Sequence, residues 1–274
     1  MYELTPLHII GLPILGLILS AMGTLVGLGG GFVLVPVLLV LFPEAPPTII
    51  SSISLTVVFV NAVAATVGNL RARRIDLRTA SLLAVGAVPA AVAGAYASNL
   101  VSRSHFETYF GVMLLLGAVY VLWRAASATP LHSSLHDPNR EIRERGGPVY
   151  RFYVNALVAG IISPLGGFLS SFFGIGGGVI HVPAMTFLLN MPTPVVSATS
   201  LFVLVPTSLA GVLARMLAGQ YTQGWRRAGL LGLGAIVGAQ IGVHLSTRVN
   251  QRVTLTILAI GMVLVGARQL LAGI

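Results

Sequence analysis

Residues 27–36 read GLGGGFVLVP, and residues 174–183 read GIGGGVIHVP at a constant offset further along the chain. Two more segments match in the same order: 49–55 with 195–201, shifted by one residue, and 86–88 with 234–236. Several matches in one order are hard to obtain by chance, even in a chain rich in apolar residues. The sequence therefore predicts the duplication of one structural unit.

The composition is that of a membrane protein. The chain has 274 residues, of which 55% are hydrophobic and 8% charged, and its mean hydropathy is +0.92. A water-soluble domain carries about 25% charged residues, so lipid must cover much of this chain. The absence of cysteine excludes disulfides, zinc–thiolate sites and cysteine nucleophiles.

The formal charge of +9 comes from arginine, since the chain contains no lysine. Most arginines lie between apolar stretches, in particular within 71–78 and 140–151. Nucleic-acid binding would need a basic face on a water-exposed domain, so no nucleic-acid partner is expected. Loop arginines of this kind set the orientation in the bilayer and mark cytoplasmic segments.

Apolar runs of about 20 residues predict helical spans. A shorter apolar piece follows the first run of each half, near 31–42 and 178–190, and contains Pro36 or Pro183. At about 1.5 Å per residue, such a piece is about 20 Å long and too short to cross comfortably. A broken or re-entrant helix that begins at each glycine cluster is therefore expected. The long spans are predicted near 7–26, 49–70, 77–99, 105–124, 152–173, 195–217, 225–246 and 252–272.

The predicted fold is an all-α membrane protein with two homologous repeats of about four to five helical segments each. The repeats are residues 1–125 and 151–274, joined by a polar cytoplasmic linker at 126–150. If each broken pair crosses once, the repeats are parallel; if each pair is a two-pass hairpin, the second repeat is inverted. The positive-inside rule places the linker in the cytoplasm in both cases, and both remain open at this point.

The glycine clusters are the first candidate site. Successive glycines break a helix and expose backbone amides, and the helix that restarts there directs its positive dipole end at an anion. Interrupted segments at matching positions of two repeats are typical of a transport site. The alternative is close helix packing, which also accounts for Gly234, Gly238 and Gly242. A dinucleotide fingerprint fails because Phe32 and Val179 stand where its third glycine belongs. The candidate residues are Gly29, Gly30, Gly31, Gly176, Gly177 and Gly178.

Polar side chains form the second part of the candidate site. Hydroxyls cluster at the same place in both halves and would give an oxyanion neutral donors; each could instead bond a carbonyl one turn earlier. Asn61 could add an amide donor, with Thr207 as its counterpart, and His181 is the one ionisable residue within a broken helix. The hydroxyl candidates are Ser51, Ser52, Ser54, Ser197, Thr199 and Ser200.

Acidic residues are expected only in loops or at helix starts. A carboxylate proton relay, a sodium site and a cation pocket are therefore unsupported. An enzyme is not expected either, since the chain has no His-Glu-x-x-His and no Gly-x-Ser-x-Gly. No cofactor and no metal are predicted. The acids are Glu3, Glu44, Asp76, Glu107, Asp137, Glu141 and Glu144.

The paired glycine motifs, each ending in Val-Pro and followed by Ser-Leu, resemble those of the sulfite exporter TauE/SafE family. The resemblance covers about residues 10–272, and the second half, at 167–178 and 198–201, is the better copy. The first half departs at Ile53, where the family usually has threonine. The resemblance implies a prokaryotic inner-membrane permease for a sulfur-containing anion, such as sulfite or the organosulfonate sulfoacetate.

The sequence thus predicts a permease that binds a small anion at the membrane midplane between the two repeats. Its expected partners are that anion, the lipid bilayer and, as an open possibility, further copies of the chain. Two alternatives remain at this stage. In a membrane scaffold subunit the polar residues of the spans would face partner helices, and in an anion channel a continuous wet pore would replace the occluded site.

Overall fold

The computed structural model describes residues 6–126, 138–219, 224–246 and 251–273, and nearly all of them are helical. Seven helices of this described part are long and apolar enough to cross a bilayer, which confirms the membrane prediction. In the order of the chain, the helices are α1 (Pro6–Val26), α2 (Gly31–Leu41), α3 (Pro47–Ala72), α4 (Leu77–Ala97), α5 (Arg103–Ala126), α6 (Ala156–Phe173), α7 (Gly178–Phe187), α8 (Thr193–Leu217), α9 (Trp225–Leu245) and α10 (Gln251–Gly273).

Local sequence fixes where several helices begin. Pro47 stands at the first position of α3, where its missing N–H costs no hydrogen bond. Asp76 and Asn155 cap α4 and α6, because each side chain accepts hydrogen bonds from two backbone N–H groups of the first turn. The predicted span near 252–272 is present as α10.

The two short helices begin at the glycine clusters, as predicted. Gly30, which precedes α2, has a φ of 82°, and Gly176, just before α7, has a φ of 74°. Both values lie in the left-handed region that glycine adopts without a steric cost. The ring of Phe42, just after α2, lies 5.9 Å from that of His8 near the start of α1. The chain therefore turns back at the glycines, and α1 and α2 form a hairpin.

Helices α3 and α8 lie at the centre and run in opposite directions. The carbonyl of Thr48, near the start of α3, accepts a hydrogen bond of 3.2 Å from Arg215 near the end of α8. Beyond the end of α3, the N–H of Asp76 donates to the hydroxyl of Thr199, near the start of α8, at 3.1 Å.

The remaining helices exchange partners between the two predicted halves: α1 packs on α9, α6 on α4, and α5 on α10. Glycines permit the approach. A Cβ atom added at Gly234 would overlap the carbonyl of Pro13, and one at Gly94 would overlap that of Phe168. Small residues let membrane helices approach to backbone contact. The packing role expected for Gly234, Gly238 and Gly242 is confirmed, and the halves interleave rather than lie side by side.

The linker departs from the all-α prediction. Strands β1 (Arg140–Arg143) and β2 (Val149–Phe152) form an antiparallel hairpin, so α6 begins later than the span predicted from residue 152. Residues 127–137 of the linker lie outside the described residues. The hairpin lies against the turn between α3 and α4, where the N–H of Arg145 donates to the carbonyl of Ala72 at 2.9 Å.

Gly238→Ala should lower the melting temperature of the purified protein in detergent. Its Cβ would overlap the carbonyl of Leu17 and come within 3.0 Å of the N of Ala21, and such overpacking costs about 1–3 kcal/mol. Gly229→Ala, in the same helix, meets no atom within 4 Å and should be neutral or stabilise by roughly 0.5–1 kcal/mol. Equal stability of the two variants would contradict the close contact between α1 and α9.

Candidate functional site

The two glycine clusters meet in the interior of the protein. A Cβ atom at Gly27 would lie 2.6 Å from the Cα of Ser197, and one at Gly174 would lie 2.5 Å from the Cα of Ser51. Each hairpin turn therefore contacts the first turns of the central helix from the other half. Across the middle, a Cβ atom at Gly31 would overlap the carbonyl of Ile175. All four glycines of each motif are buried: 27, 29, 30 and 31 in the first, and 174, 176, 177 and 178 in the second.

Most of the candidate glycines have a backbone N–H group without a backbone acceptor. Within the described residues, no backbone carbonyl accepts a hydrogen bond from the N–H of Gly30, Gly31, Gly176, Gly177 or Gly178, and neither helix has a side-chain cap. The first N–H groups of a helix have no partner inside the helix. The donors of Gly30 and Gly31 thus point out of α2, and those of Gly177 and Gly178 out of α7.

Gly29 differs from the other candidate glycines in its hydrogen bonding, and Gly177 differs from Gly30 in its backbone conformation. The N–H of Gly29 bonds the carbonyl of Gly23 at 3.3 Å, so this donor is already used. Gly177, which precedes α7, has a φ of −61°, whereas Gly30 before α2 is left-handed. The two helix starts are therefore similar in position and unequal in backbone conformation.

Apolar side chains fill the space in front of both glycine clusters. A Cβ atom at Gly29 would lie 3.2 Å from Val58 and 3.1 Å from Leu204; one at Gly176 would lie 2.7 Å and 3.4 Å from the same two side chains. Val58 and Leu204 are completely buried. The interior between the clusters is therefore closed by this pair, which sequence reasoning did not single out because both are ordinary apolar residues.

The candidate hydroxyls divide into two groups. Four are already bonded: Ser51 to the carbonyl of Phe173 at 3.3 Å, Ser52 to that of Thr48 at 2.6 Å, Ser197 to that of Pro194 at 3.3 Å, and Thr199 to the N–H of Asp76. For Ser52 and Ser197 this is the local backbone bond that the sequence left open as the alternative.

Ser54 and Ser200 form the second group. Both side chains are completely buried, and neither hydroxyl has a hydrogen-bond partner among the described residues. Buried polar atoms in proteins nearly always have a partner. The two residues occupy matching positions of the predicted repeats, and the Nδ2 atom of Asn61 shares their property. These three groups are free side-chain donors of the candidate site, and both ring nitrogens of His181 also have no hydrogen-bond partner among the described residues.

His181 lies beside the second glycine cluster rather than between the two clusters. A Cβ atom at Gly177 would lie 2.9 Å from its Nδ1, and one at Gly166 would overlap the other side of the ring. The imidazole therefore occupies the space that two glycines leave between α6 and α7. The structure places it next to the free N–H groups of α7.

The sequence analysis did not anticipate the burial of two charged residues. Arg215, within the span predicted at 195–217, is completely buried, and its guanidinium donates to the carbonyls of Thr48, Ser171 and Phe172. A cation at the end of α6 is favourable because helix carbonyls there lack partners. Asp76 does begin a helix as expected, but it is only 2% exposed, and its backbone N–H donates a hydrogen bond to the candidate hydroxyl of Thr199.

The linker hairpin covers the end of the central helices at which α3 ends and α8 begins. Glu144 accepts a 2.7 Å hydrogen bond from Arg74, and Arg140 lies 3.5 Å from the carboxylate of Asp76. Tyr150 donates to Glu144 at 3.1 Å, and burial together with that carboxylate raises the pKa of Tyr150 to about 12. The hairpin is thus fixed to the turn between α3 and α4 by charged contacts. The sequence signal available was the alternation of arginine and glutamate at 140–145.

Sequence reasoning also missed other buried groups beside the site. Ser170 and Ser171, which precede the second glycine cluster, are completely buried and have hydroxyls without a partner in the described part of the chain. Their position directly before a glycine break could have identified them. Among the described residues, no group of three His, Asp or Glu side chains is placed to hold a metal ion.

Comparisons with known proteins span almost the whole chain. The family model described as "Sulfite exporter TauE/SafE" matches residues 12–269. The "Probable membrane transporter protein YunE" of Bacillus subtilis (strain 168) is 30% identical over 96% of this chain and 97% of its own. A "Probable membrane transporter protein" of Xylella fastidiosa (strain 9a5c) is 28% identical over 85% and 82%. "Sulfite exporter TauE/SafE family protein 5" of Arabidopsis thaliana is 26% identical over 50% and 32%. No solved structure matches.

Ser54→Ala and Ser200→Ala should keep or raise the melting temperature of the purified protein. Neither change removes a hydrogen bond, and an unpartnered buried polar group costs about 1–3 kcal/mol. Thr79→Val is the comparison, since the buried Thr79 hydroxyl donates to Asp76 and its loss should destabilise. A loss of stability in the two serine variants as large as that in Thr79→Val would mean that their hydroxyls are bonded within the folded protein.

Proposed function

Because the chain belongs to the sulfite exporter TauE/SafE family of membrane transporters, we propose that it transports a small sulfur-containing oxyanion, sulfite or an organosulfonate such as sulfoacetate. The observation that carries the proposal is that two helix starts with free N–H groups meet in the interior, while the central helices α3 and α8 carry buried, unpartnered donors. These donors are the hydroxyls of Ser54 and Ser200 and the amide of Asn61. The protein itself is a multi-pass protein of the inner membrane.

The donor set suits a singly or doubly charged oxyanion. Backbone N–H groups at a helix start favour negative charge, and hydroxyl and amide groups add hydrogen bonds to its oxygens. All of these donors are neutral. Each hydrogen bond to a charged group contributes about 1.5–3 kcal/mol, so several hold the anion in a dry interior and still release it. A permanently charged ligand such as lysine or arginine would retain an anion more firmly than a transporter requires.

The two halves are, on this proposal, inverted copies of one unit. Gly27 contacts Ser197 just as Gly174 contacts Ser51, and α1 packs on α9 just as α6 packs on α4. The antiparallel course of α3 and α8 and the return of α2 to the start of α1 support the hairpin alternative over the single crossing. An inverted pair would put the glycine turns near the middle of the bilayer, where such transporters bind their substrates.

The other two candidate functions have less support. A channel needs a continuous wet pore, whereas Val58 and Leu204 close the space between the glycine clusters. A scaffold needs its glycines only for packing, which leaves no role for buried donors without partners. An alternating-access transporter accounts for both features, since the closed interior and the free donors belong to one site.

Cysteine labelling tests the inverted arrangement, and the cysteine-free chain is a ready background. Arg145→Cys in the linker hairpin should react with an impermeant maleimide only from the cytoplasmic side. Glu44→Cys, after α2, and Ala218→Cys, after α8, should both react only from the opposite side; all three residues are exposed. Reaction of Ala218→Cys from the cytoplasmic side would support parallel repeats instead.

Transport in proteoliposomes tests the proposed function. Sulfite or sulfoacetate should be taken up, and sodium as a labelled solute should not. Ser200→Ala should raise the KM or Kd for the anion roughly tenfold, because about 1.4 kcal/mol corresponds to one decade. Gly176→Ala should be more damaging, since its φ of 74° and a Cβ position 2.7 Å from Val58 both oppose a side chain.

Ser98→Ala is the matched control for the transport assay. Ser98 is also buried, but its hydroxyl bonds the carbonyl of Ala95 at 2.8 Å, beyond the end of α4. This variant should transport with an unchanged KM. Selective sodium uptake without anion flux would refute the proposed function, and unchanged KM in both Ser200→Ala and Gly176→Ala would place the anion elsewhere.

A further inference from the structure

One buried hydrogen bond connects the first long helix with the centre of the candidate site. The hydroxyl of Thr24 in α1 donates to the Oδ1 atom of Asn61 in α3 at 2.9 Å. Thr24 is 1% exposed and Asn61 is completely buried. The Nδ2 atom of the same carboxamide has no hydrogen-bond partner among the described residues. The bond therefore uses the acceptor end of the amide and leaves its donor end free.

The free end of the amide lies beside the first glycine cluster. A Cβ atom at Gly29 would be 3.9 Å from Nδ2 of Asn61. Thr24 also takes part in the glycine turn itself, because its carbonyl accepts a hydrogen bond from the N–H of Gly27 at 3.1 Å. The residue that bonds the amide thus belongs to the turn that precedes α2.

Helix α9 holds Thr24 in place from the other side. A Cβ atom at Gly242 would lie 2.6 Å from the Cβ and 3.0 Å from the Cγ2 of Thr24. The absence of a side chain at Gly242 makes room for the threonine, and its branched side chain has few alternative rotamers in a helix. The hydroxyl is therefore held in one direction by packing.

We propose that Thr24 is a positioning residue of the transport site, which holds the Asn61 carboxamide with its NH2 group toward the first glycine cluster to bind the transported anion. The proposal rests on the function proposed above. A carboxamide carries a donor and an acceptor on one plane, and it can turn over to present either of them. An acceptor turned toward an oxyanion repels it. In the observed arrangement the Thr24 hydroxyl donates to Oδ1, which turns that acceptor away from the anion and leaves the NH2 group toward the glycine cluster.

Among its described residues, the second half of the chain has no equivalent amide. Thr207 occupies the position that matches Asn61, but its hydroxyl donates to the carbonyl of Val203 at 2.8 Å. That local bond satisfies the only donor of Thr207. The free amide donor of the site therefore comes from the first half alone.

The test combines two residues in a double-mutant cycle, with uptake of labelled sulfite and sulfoacetate into proteoliposomes as the measurement. Thr24→Val, which keeps the shape and removes the hydroxyl, should raise KM about threefold to tenfold with little change in kcat. Thr24→Ser should restore the wild-type KM. Asn61→Ala should raise KM at least as much as Thr24→Val, and the double variant Thr24→Val/Asn61→Ala should be no worse than Asn61→Ala alone.

A matched control separates positioning from loss of stability. Thr79, in α4, is also a buried threonine whose hydroxyl donates a hydrogen bond, in its case to Asp76, so Thr79→Val likewise removes a bonded hydroxyl. It should leave KM unchanged, and melting temperatures of all variants should be measured in parallel. If Thr24→Val is too unstable to purify, Asn61→Ala and Thr24→Ser still test the amide and the hydroxyl separately.

Three outcomes would overturn the inference. An unchanged KM in Thr24→Val, or additive effects in the double variant, would show that Thr24 does not act through Asn61. An unchanged KM in Asn61→Ala, while Ser200→Ala still weakens anion uptake, would remove the amide from the site and leave the proposed function intact. Absence of anion uptake by the wild-type protein would instead refute the proposed function itself.

Discussion

The close approach of two glycine turns to the central helices is the constraint on which the rest of the structure depends. At Gly27 and Gly174, a single added carbon would come within 2.6 Å of the main chain of the opposite half. Backbone contact of this kind is possible only without a side chain, and the left-handed φ values of these turns also favour glycine. Close packing at these positions is therefore compatible with the proposed anion binding. The packing that glycine permits is what brings two helix starts together in the interior.

The same constraint explains why the halves interleave. In lipid, helices gain little from burying apolar surface against each other, so association depends on close packing between small residues. Such contacts join α1 to α9 through Gly238 and α4 to α6 through Gly94. Each hairpin is thereby held by a helix of the other half, with its glycine turn directed at α3 or α8. The position of the site is a consequence of that exchange.

Much of the fold could be predicted from the sequence because its signals are local. Apolar length gives the spans, and a glycine cluster followed by a short apolar piece gives α2 and α7. The division of the hydroxyls could not be predicted, because the acceptor for Ser51 is a carbonyl 122 residues away. The burial of Arg215 depends on helix ends that only the tertiary fold brings beside it. The linker hairpin is equally non-local, since its ion pairs join Arg74 and Asp76 to residues far along the chain.

The arrangement of donors and apolar side chains has a further physical consequence. The hydroxyls of Ser54 and Ser200 are buried and have no partner in the described part of the chain, and each such group costs about 1–3 kcal/mol. Val58 and Leu204 meanwhile fill the space that both glycine clusters face. These two side chains lie on α3 and α8, the helices that carry the serines. On the proposed function, an anion that reaches the glycine clusters must displace Val58 and Leu204, either by rotation of the side chains or by a shift of the two central helices, and the second is the kind of movement that an alternating-access mechanism requires.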